Sequence, residues 1–243
     1  MHVLIVLAHP DNESFNSQLT AAARSALEAA GHVVTLSDLY AAKFDPVEDG
    51  RHYADRLNTQ QFVALAEQRH ASKNGTLPRD VQLEIEKLEA ADLVILQFPL
   101  WWHGPPAVLK GWFDRVFVSG DLYNSKMRYE TGYFREKRAI VSVTTGAPAS
   151  AFGPGARGGE MEVMLWPIHY SLHYLGFSIL APEYHFEVSG HGYSYSEESD
   201  NQKRLRADIE DWSKRVAHLD YEKTLTFSGW ADWTEDGSPK APT

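Results

Sequence analysis

Short runs rich in Val, Ile and Leu alternate along this chain with amphipathic stretches of helical spacing. That alternation restricts the chain to a parallel sheet flanked by helices. Five runs qualify as strands: Val3 to Leu7, His32 to Leu36, Leu93 to Phe98, Ala139 to Thr144 and Ser178 to Leu180. Their near-continuous apolarity is that of strands buried on both faces. Between the first two, Ser14 to Ala30 has a polar start, an Ala-rich body and Gly31 as a stop, which predicts a helix. Asp80 to Ala91 places Val81, Ile85 and Leu88 on one helical face. Ala107 to Val118 follows Pro105 and Pro106, residues tolerated where first-turn N–H groups lack an acceptor anyway. Strand and helix in alternation imply right-handed crossovers and a doubly wound sheet.

Several function classes fall away on composition. A chain that is 43% hydrophobic and 12% aromatic has the material for a packed core. Its formal charge of -10 disfavours a nucleic-acid partner, because capture of a phosphate backbone needs clustered Lys and Arg. With no cysteine there are no disulfides and no thiolate chemistry, in keeping with a cytoplasmic location. The apolar N-terminal run, Val3 to Ala8, is too short to span a membrane. No Gly-x-Gly-x-x-Gly follows the first strand, and neither a Walker lysine loop nor a Gly-x-Ser-x-Gly elbow is present. The expected division is one domain over residues 1–219 and a tail, 220–243, whose Trp230 and Trp233 suggest packing on a partner subunit. Phe44 to Lys73 is long for a connection, which points to a functional or partly helical segment.

In an open α/β sheet the ligand lies beyond the carboxyl ends of the strands. The loop after the first strand, His9 to Asn16, offers Ser14 and Asn16 beside the free N–H groups of a helix start, suited to phosphate oxygens or to plain helix capping. Asp11 and Glu13 must then face solvent. After the third strand, Trp101, Trp102 and His103 sit in a Gly and Pro turn, either as a flat wall for a planar heterocycle or as a core plug. Thr144-Thr145-Gly146 adds hydroxyls and a permissive backbone after the fourth strand. His169 and His173 stand four apart without a third metal ligand, so no metal site is expected.

Taken together, these segments resemble the NAD(P)H:quinone oxidoreductases, the DT-diaphorase-like family of the flavodoxin-like superfamily. The resemblance is carried by Leu-Ile-Val-Leu-Ala-His-Pro at 4–10, Ser-Phe-Asn at 14–16, Ser-Asp-Leu-Tyr at 37–40 and Leu-Glu-Ala-Ala-Asp-Leu-Val-Ile at 88–95. It continues through Gln-Phe-Pro-Leu at 97–100, Leu-Lys-Gly-Trp-Phe-Asp-Arg-Val-Phe at 109–117, Thr-Thr-Gly at 144–146 and Leu-Trp-Pro-Ile at 165–168. It implies a flavodoxin-like sandwich with a five-stranded parallel sheet, and a homodimer carrying one flavin per subunit, FAD with FMN as the alternative. It also implies ping-pong hydride transfer from NAD(P)H to a quinone.

By position, His9, Ser14, Phe15, Asn16 and Gln18 resemble residues that hold the flavin phosphates and ribityl chain. Pro99, Leu100, Trp101, Trp102 and His103 then border the ring system, with Thr144, Thr145 and Gly146 on its polar edge. Tyr123, Tyr174 and His191 resemble the nicotinamide and quinone pocket, in part from the second subunit. The chain departs from the family where better-known members carry a Tyr and, six residues later, a His that serve the reduced flavin. Here Phe152 and Gly158 stand there, and neither side chain donates a hydrogen bond. Backbone N–H groups of the Gly146 to Ser150 turn, helped by Arg157, are the expected substitute. Gln60 to Ala64, with Val63 where a Gln is expected, matches the family's adenine region poorly; Lys203 to Arg206 is either a second phosphate site or a solvated helix face. Two other readings stay open: an azo or nitro reductase using the same chemistry, and a non-catalytic flavodoxin-type carrier or transporter-regulatory partner.

Overall fold

The computed structural model describes residues 1–188 and 197–240. Six strands and six α-helices follow in the order β1 (His2–Leu7), α1 (Phe15–Ala29), β2 (Val33–Asp38), α2 (Ala64–Asn74), α3 (Arg79–Ala90), β3 (Leu93–Pro99), α4 (Ala107–Val116), β4 (Arg138–Thr144), α5 (Met161–Tyr174), β5 (Ser178–Ile179), β6 (Glu183–His185) and α6 (Glu198–Val216). The strands lie in the order β2-β1-β3-β4-β5, with β6 also on β4. All the pairings are parallel. The order reverses between β1 and β3, and this opens a crevice at their carboxyl ends.

Alternation along β1 builds two cores. Val3 and Ile5 face Leu19, Ala23 and Leu27 of α1 and Trp212 and Val216 of α6. Leu4 and Val6 face the opposite layer, with Val81, Ile85 and Leu88 of α3, Leu109 and Trp112 of α4, and Leu165 and Leu172 of α5. Helix α1 stops as its sequence predicts: Gly31 takes φ +84°, its N–H bonds Glu28 O, and the His32 N–H reaches back to Leu27 O.

Two strands differ from the sequence expectation. β2 is an edge strand, and Val33 and Leu36 stand exposed, so its apolar residues are not buried on both sides. The fifth strand is interrupted: β5 pairs Ser178 with Arg138, and three residues past its end β6 resumes, pairing Glu183 with Ser142. Pro182 lies in the gap and has no N–H for the ladder. The sheet therefore has a sixth short strand in addition to the five expected.

The long connection is partly helical. Its second half is α2, and its first half is tied down by the buried carboxylate of Glu67, which accepts from Leu57 N (2.8 Å), Asn58 N (3.2 Å) and Arg56 Nε (3.0 Å). The tail packs on its own chain. Leu225 N donates to Ile179 O (2.7 Å), covering the outer sheet edge, and Trp230 N donates to Glu130 Oε1 (2.8 Å). The rings of Trp230 and Trp233 lie 5.1 and 4.9 Å from that of Tyr129.

Candidate active site

The start of α1 and the carboxyl ends of β3 and β4 are fastened to one another by a buried amide. Asn16 Nδ2 donates to Thr144 Oγ1 (2.9 Å), and Asn16 Oδ1 accepts from Gln97 Nε2 (2.9 Å). Gln97 Oε1 is buried without a partner, so the network has one unused acceptor facing its neighbours. Replacing Asn16 by Leu keeps the volume but strands Thr144 Oγ1 and leaves Gln97 Nε2 with only its longer bond to Ser142 O (3.3 Å). Such unpaired buried groups cost about 1–3 kcal/mol each. Urea unfolding of Asn16→Leu is expected to show a loss of about 2–4 kcal/mol, one stranded group plus one lost bond, and a variant as stable as the parent would remove the network from the account.

The capping reading of the helix start is met, and two N–H groups are left over. Ser14 caps α1, its Oγ accepting from Ser17 N (3.2 Å), while the N–H groups of Phe15 and Asn16 have no backbone acceptor. His9 Nδ1 lies 3.1 Å from Asp11 N and 3.2 Å from Asp11 O, so its own loop holds that side of the ring and Nε2 is left to face a ligand. Asp11 and Glu13 are exposed as expected; Asp11 lies at the rim of the cleft and its carboxylate accepts from Glu13 N (2.9 Å).

Above these loops opens a cleft of about 690 Å³. Of the residues expected there, His9, Ser14, Phe15, Asn16, Gln18, Pro99, Leu100, Trp101, Thr144, Thr145 and Gly146 all line it. Its far wall is one face of α6: Gln202, Leu205, Arg206 and Ile209, at helical spacing. Of these, sequence reasoning weighed only Arg206, within the Lys203 to Arg206 cluster; the signal for the others is that spacing, hidden in a charge-rich helix. Gln60 to Ala64 is not part of this wall.

Trp102, His103, Phe152 and Arg157 do not line the cleft. Trp101 N donates to Gly104 O (2.9 Å) and Gly104 N to Trp101 O (3.1 Å), closing a tight turn whose two central residues have φ +50° (Trp102) and +61° (His103). Non-glycine residues in this region cost about 1 kcal/mol or more each. At the tip, Trp102 is 94% exposed. Phe152 packs on Phe186 with ring centroids 5.6 Å apart, and Arg157 is exposed. A Cβ at Gly158 would stand 2.7 Å from Ala151 O and 3.0 Å from the Phe152 ring, so this loop has no room for a histidine side chain there. The substitute donors expected at Gly146 to Ser150 are in part engaged, since Ala147 N donates to Thr145 Oγ1 (3.2 Å).

On the other side of the turn lies a second groove, of about 510 Å³, walled by His103, Lys110, Tyr123, Tyr170 and Tyr174 among others. Tyr123 and Tyr174 meet edge to face at 5.6 Å, and Arg128 sits over the Tyr174 ring at 5.2 Å. Burial raises the Tyr123 phenol above its ordinary pKa. His191, expected in this pocket, lies outside the described residues.

His169 and His173 point apart. His169 is buried with Nε2 unpartnered, whereas His173 stacks on Phe227 at 4.9 Å and contacts Ser228 O (2.9 Å). No group of three or more potential metal ligands occurs among the described residues. None of the described helices is long and apolar enough to cross a membrane.

A sheet ordered 2-1-3-4-5, with a cleft at its switch point rimmed by a helix start and an aromatic turn, defines a flavodoxin-like α/β protein. Residues 1–216 match the family described as flavodoxin-like fold. The chain is 39% identical over 228 residues to NAD(P)H dehydrogenase (quinone) 1 of Cavia porcellus, covering 93% of this chain and 79% of that protein. It is 36% identical to ribosyldihydronicotinamide dehydrogenase (quinone) of Homo sapiens, over 92% of this chain and 94% of that one. Among solved structures, a putative quinone reductase from Klebsiella pneumoniae superimposes with a TM-score of 0.87 at 30% identity, covering 99% of this chain and 94% of that one. The chain therefore belongs to the flavodoxin-like family, in the branch of the NAD(P)H quinone dehydrogenases.

Proposed function

We propose that this chain is a flavin-dependent NAD(P)H:quinone oxidoreductase that works as a homodimer with FAD. The observation that carries the reading is the first cleft. Its donors are suited to a flavin nucleotide: two free N–H groups at the start of α1, the side chains of Ser14, Gln18 and His9, and Arg206 across the gap. Its apolar wall is Trp101 with Leu100 and Pro99, and Thr144 to Gly146 offers hydroxyl and backbone groups opposite. A bound flavin supplies the two-electron chemistry, so no nucleophile of the protein is required. The protein's part is to orient the ring, exclude water and place donors where negative charge develops.

The extension of the cleft to Gln202 and Arg206 favours a cofactor with a second phosphate, and hence FAD over FMN. Residues 1–219 hold all of the cleft, and the tail braces the Tyr129 loop beside the second groove. Val163, Trp166 and Tyr170 continue this groove as an apolar stripe on α5, with Val163 and Trp166 exposed; a second copy of the chain covers it in this reading. Donor and acceptor then use one slot in turn, which gives ping-pong kinetics.

The test is direct. Protein purified from cells is heated, and the released chromophore is identified by mass. NADH and NADPH oxidation is then followed with and without a naphthoquinone, and mass in solution is read by light scattering. FAD, quinone-dependent turnover with parallel double-reciprocal lines, and a dimer are expected. A colourless protein that takes up no flavin overturns the proposal.

A further inference from the structure

We propose that His103 is the proton donor to the reduced acceptor, a catalytic role that rests on the quinone reductase reading. Two-electron reduction of a quinone needs a hydride equivalent, which carries both electrons, and a proton. The proton forms the new O–H bond as an imidazolium N–H bond breaks, and the neutral ring recovers its proton from water. NAD(P)H supplies the electrons in the reaction already proposed. The proton has no evident source at the positions where the resemblance looks for one. Phe152 has no O–H, and Gly158 is packed so closely against Ala151 O and the Phe152 ring that it takes no side chain.

The turn from Trp101 to Gly104 is the common wall of the two cavities: Trp101 lines the first, His103 the second. An acceptor lying in the second groove against this wall meets His103 at the boundary with the electron-donating cleft. The His103 ring has no hydrogen-bond partner among the described residues, so its nitrogens are available to a substrate oxygen. The left-handed backbone at both Trp102 and His103 holds the imidazole on the groove side of the turn, and strain of this kind persists where surrounding structure fixes it.

The other groups facing the groove are worse donors or are occupied. From α4, Lys110 is forked onto both side-chain oxygens of Asp114 (2.6 and 2.7 Å), which accept from it. Tyr123, raised by burial, gives up its proton reluctantly. From α5, Tyr170 and Tyr174 offer phenols, a weaker acid class than an imidazolium, and Ser171 donates to Pro167 O (2.7 Å). Gln68 of α2 donates to Glu48 and to Asp114 O. His9 and Asp11 lie across the turn, in the first cleft. Imidazole is the side chain suited to passing a proton near neutral pH.

The experiment uses the flavin-loaded protein and compares His103→Gln and His103→Phe with the parent. Turnover is measured with a naphthoquinone, which must take up protons, and with ferricyanide, which takes electrons only. The ratio of quinone to ferricyanide kcat is expected to fall about 100-fold in both variants, with a much smaller change in KM. Imidazole added to the medium should restore part of the lost rate, and the variants should lose one limb of the parent's pH profile for the quinone reaction. A readout independent of turnover is the ¹⁵N signal of the His103 ring, assigned by its absence from His103→Gln. It should move when a competitive aryl ketone fills the groove of the oxidised protein. An unchanged quinone to ferricyanide ratio, or a ring signal that stays in place with the inhibitor bound, overturns the role of His103 while leaving the enzyme a quinone reductase. A parent that reduces no quinone with NAD(P)H overturns the reading beneath it.

Discussion

Lowering the pH from 7 to 4 is expected to remove about 6 kcal/mol of folding stability through two histidines alone, about 3 from each. His169 on α5 and His185 on β6 are 5% and 1% exposed. Burial depresses both to about 4 from the ordinary 6.5, and for His185 the nearby Arg215 and Arg204 add to it. His169 Nε2 and His185 Nδ1 have no partner, so neither ring has a carboxylate to share a proton with. The unfolded chain therefore binds more protons than the folded chain between pH 6.5 and 4, and stability falls with pH across that window. Above 6.5 the contribution is complete; below about 4 both states are protonated and no more is lost. Urea unfolding at several pH values should show an uptake of about two protons in this range. The double variant His169→Gln, His185→Gln should flatten the curve, and His185→Gln retains an amide to meet Ser142 Oγ, which the imidazole Nε2 contacts at 3.2 Å. Equal slopes in parent and double variant would assign the acid sensitivity to carboxylates instead.

Gly111→Ala is expected to be severely destabilising, although alanine in a helix interior normally gains about 1 kcal/mol over glycine. Gly111 lies within α4 against the chain at Pro46, and an added Cβ would sit 2.2 Å from Pro46 O and 2.4 Å from Pro46 Cα. Those are backbone atoms, and the segment is pinned. Arg115, itself buried on α4, donates to Asp45 O (2.8 Å) and lies over the Phe44 ring at 5.0 Å. Relief requires either breaking that clamp or moving α4 away from the sheet. Overpacking of this kind costs about 3 kcal/mol or more, a fall in Tm of about 6–12 °C for a domain of this size. A Gly111→Ala protein melting at or above the parent would mean the Pro46 segment yields easily.

What the sequence discloses follows from how locally each feature is encoded. Strands β1, β3 and β4 carry their burial in runs dominated by apolar residues, and α1 carries its own stop in Gly31, so these are legible. The three loops were legible because each is contiguous and follows such a strand. β2 looks like its neighbours in sequence but sits at an edge, which only the pairing order decides. The break at Pro182 was hidden because Glu183 to His185 is polar and aromatic, with no apolar run to mark it. The face of α6 across the cleft was hidden for a different reason. Gln202, Leu205, Arg206 and Ile209 come near Ser14 and Gln18 only because α6 packs beside α1, and no local pattern records that pairing. The placement of Trp102 in solvent was likewise unreadable, since it depends on two left-handed residues in a turn without glycine at its centre.

The position of β1 in the middle of the sheet has a consequence for how the chain is made. Its partner β2 is complete by Asp38, but its other neighbour begins only at Leu93. Those 54 intervening residues take a ribosome roughly 3 to 11 s at about 5–20 residues per second. For that interval the nascent chain carries a two-stranded ribbon with one row of amide and carbonyl groups open and its most apolar strand along it. Helix α1 can shelter one side of that ribbon; the other must be guarded, by a chaperone or by speed, until β3 arrives.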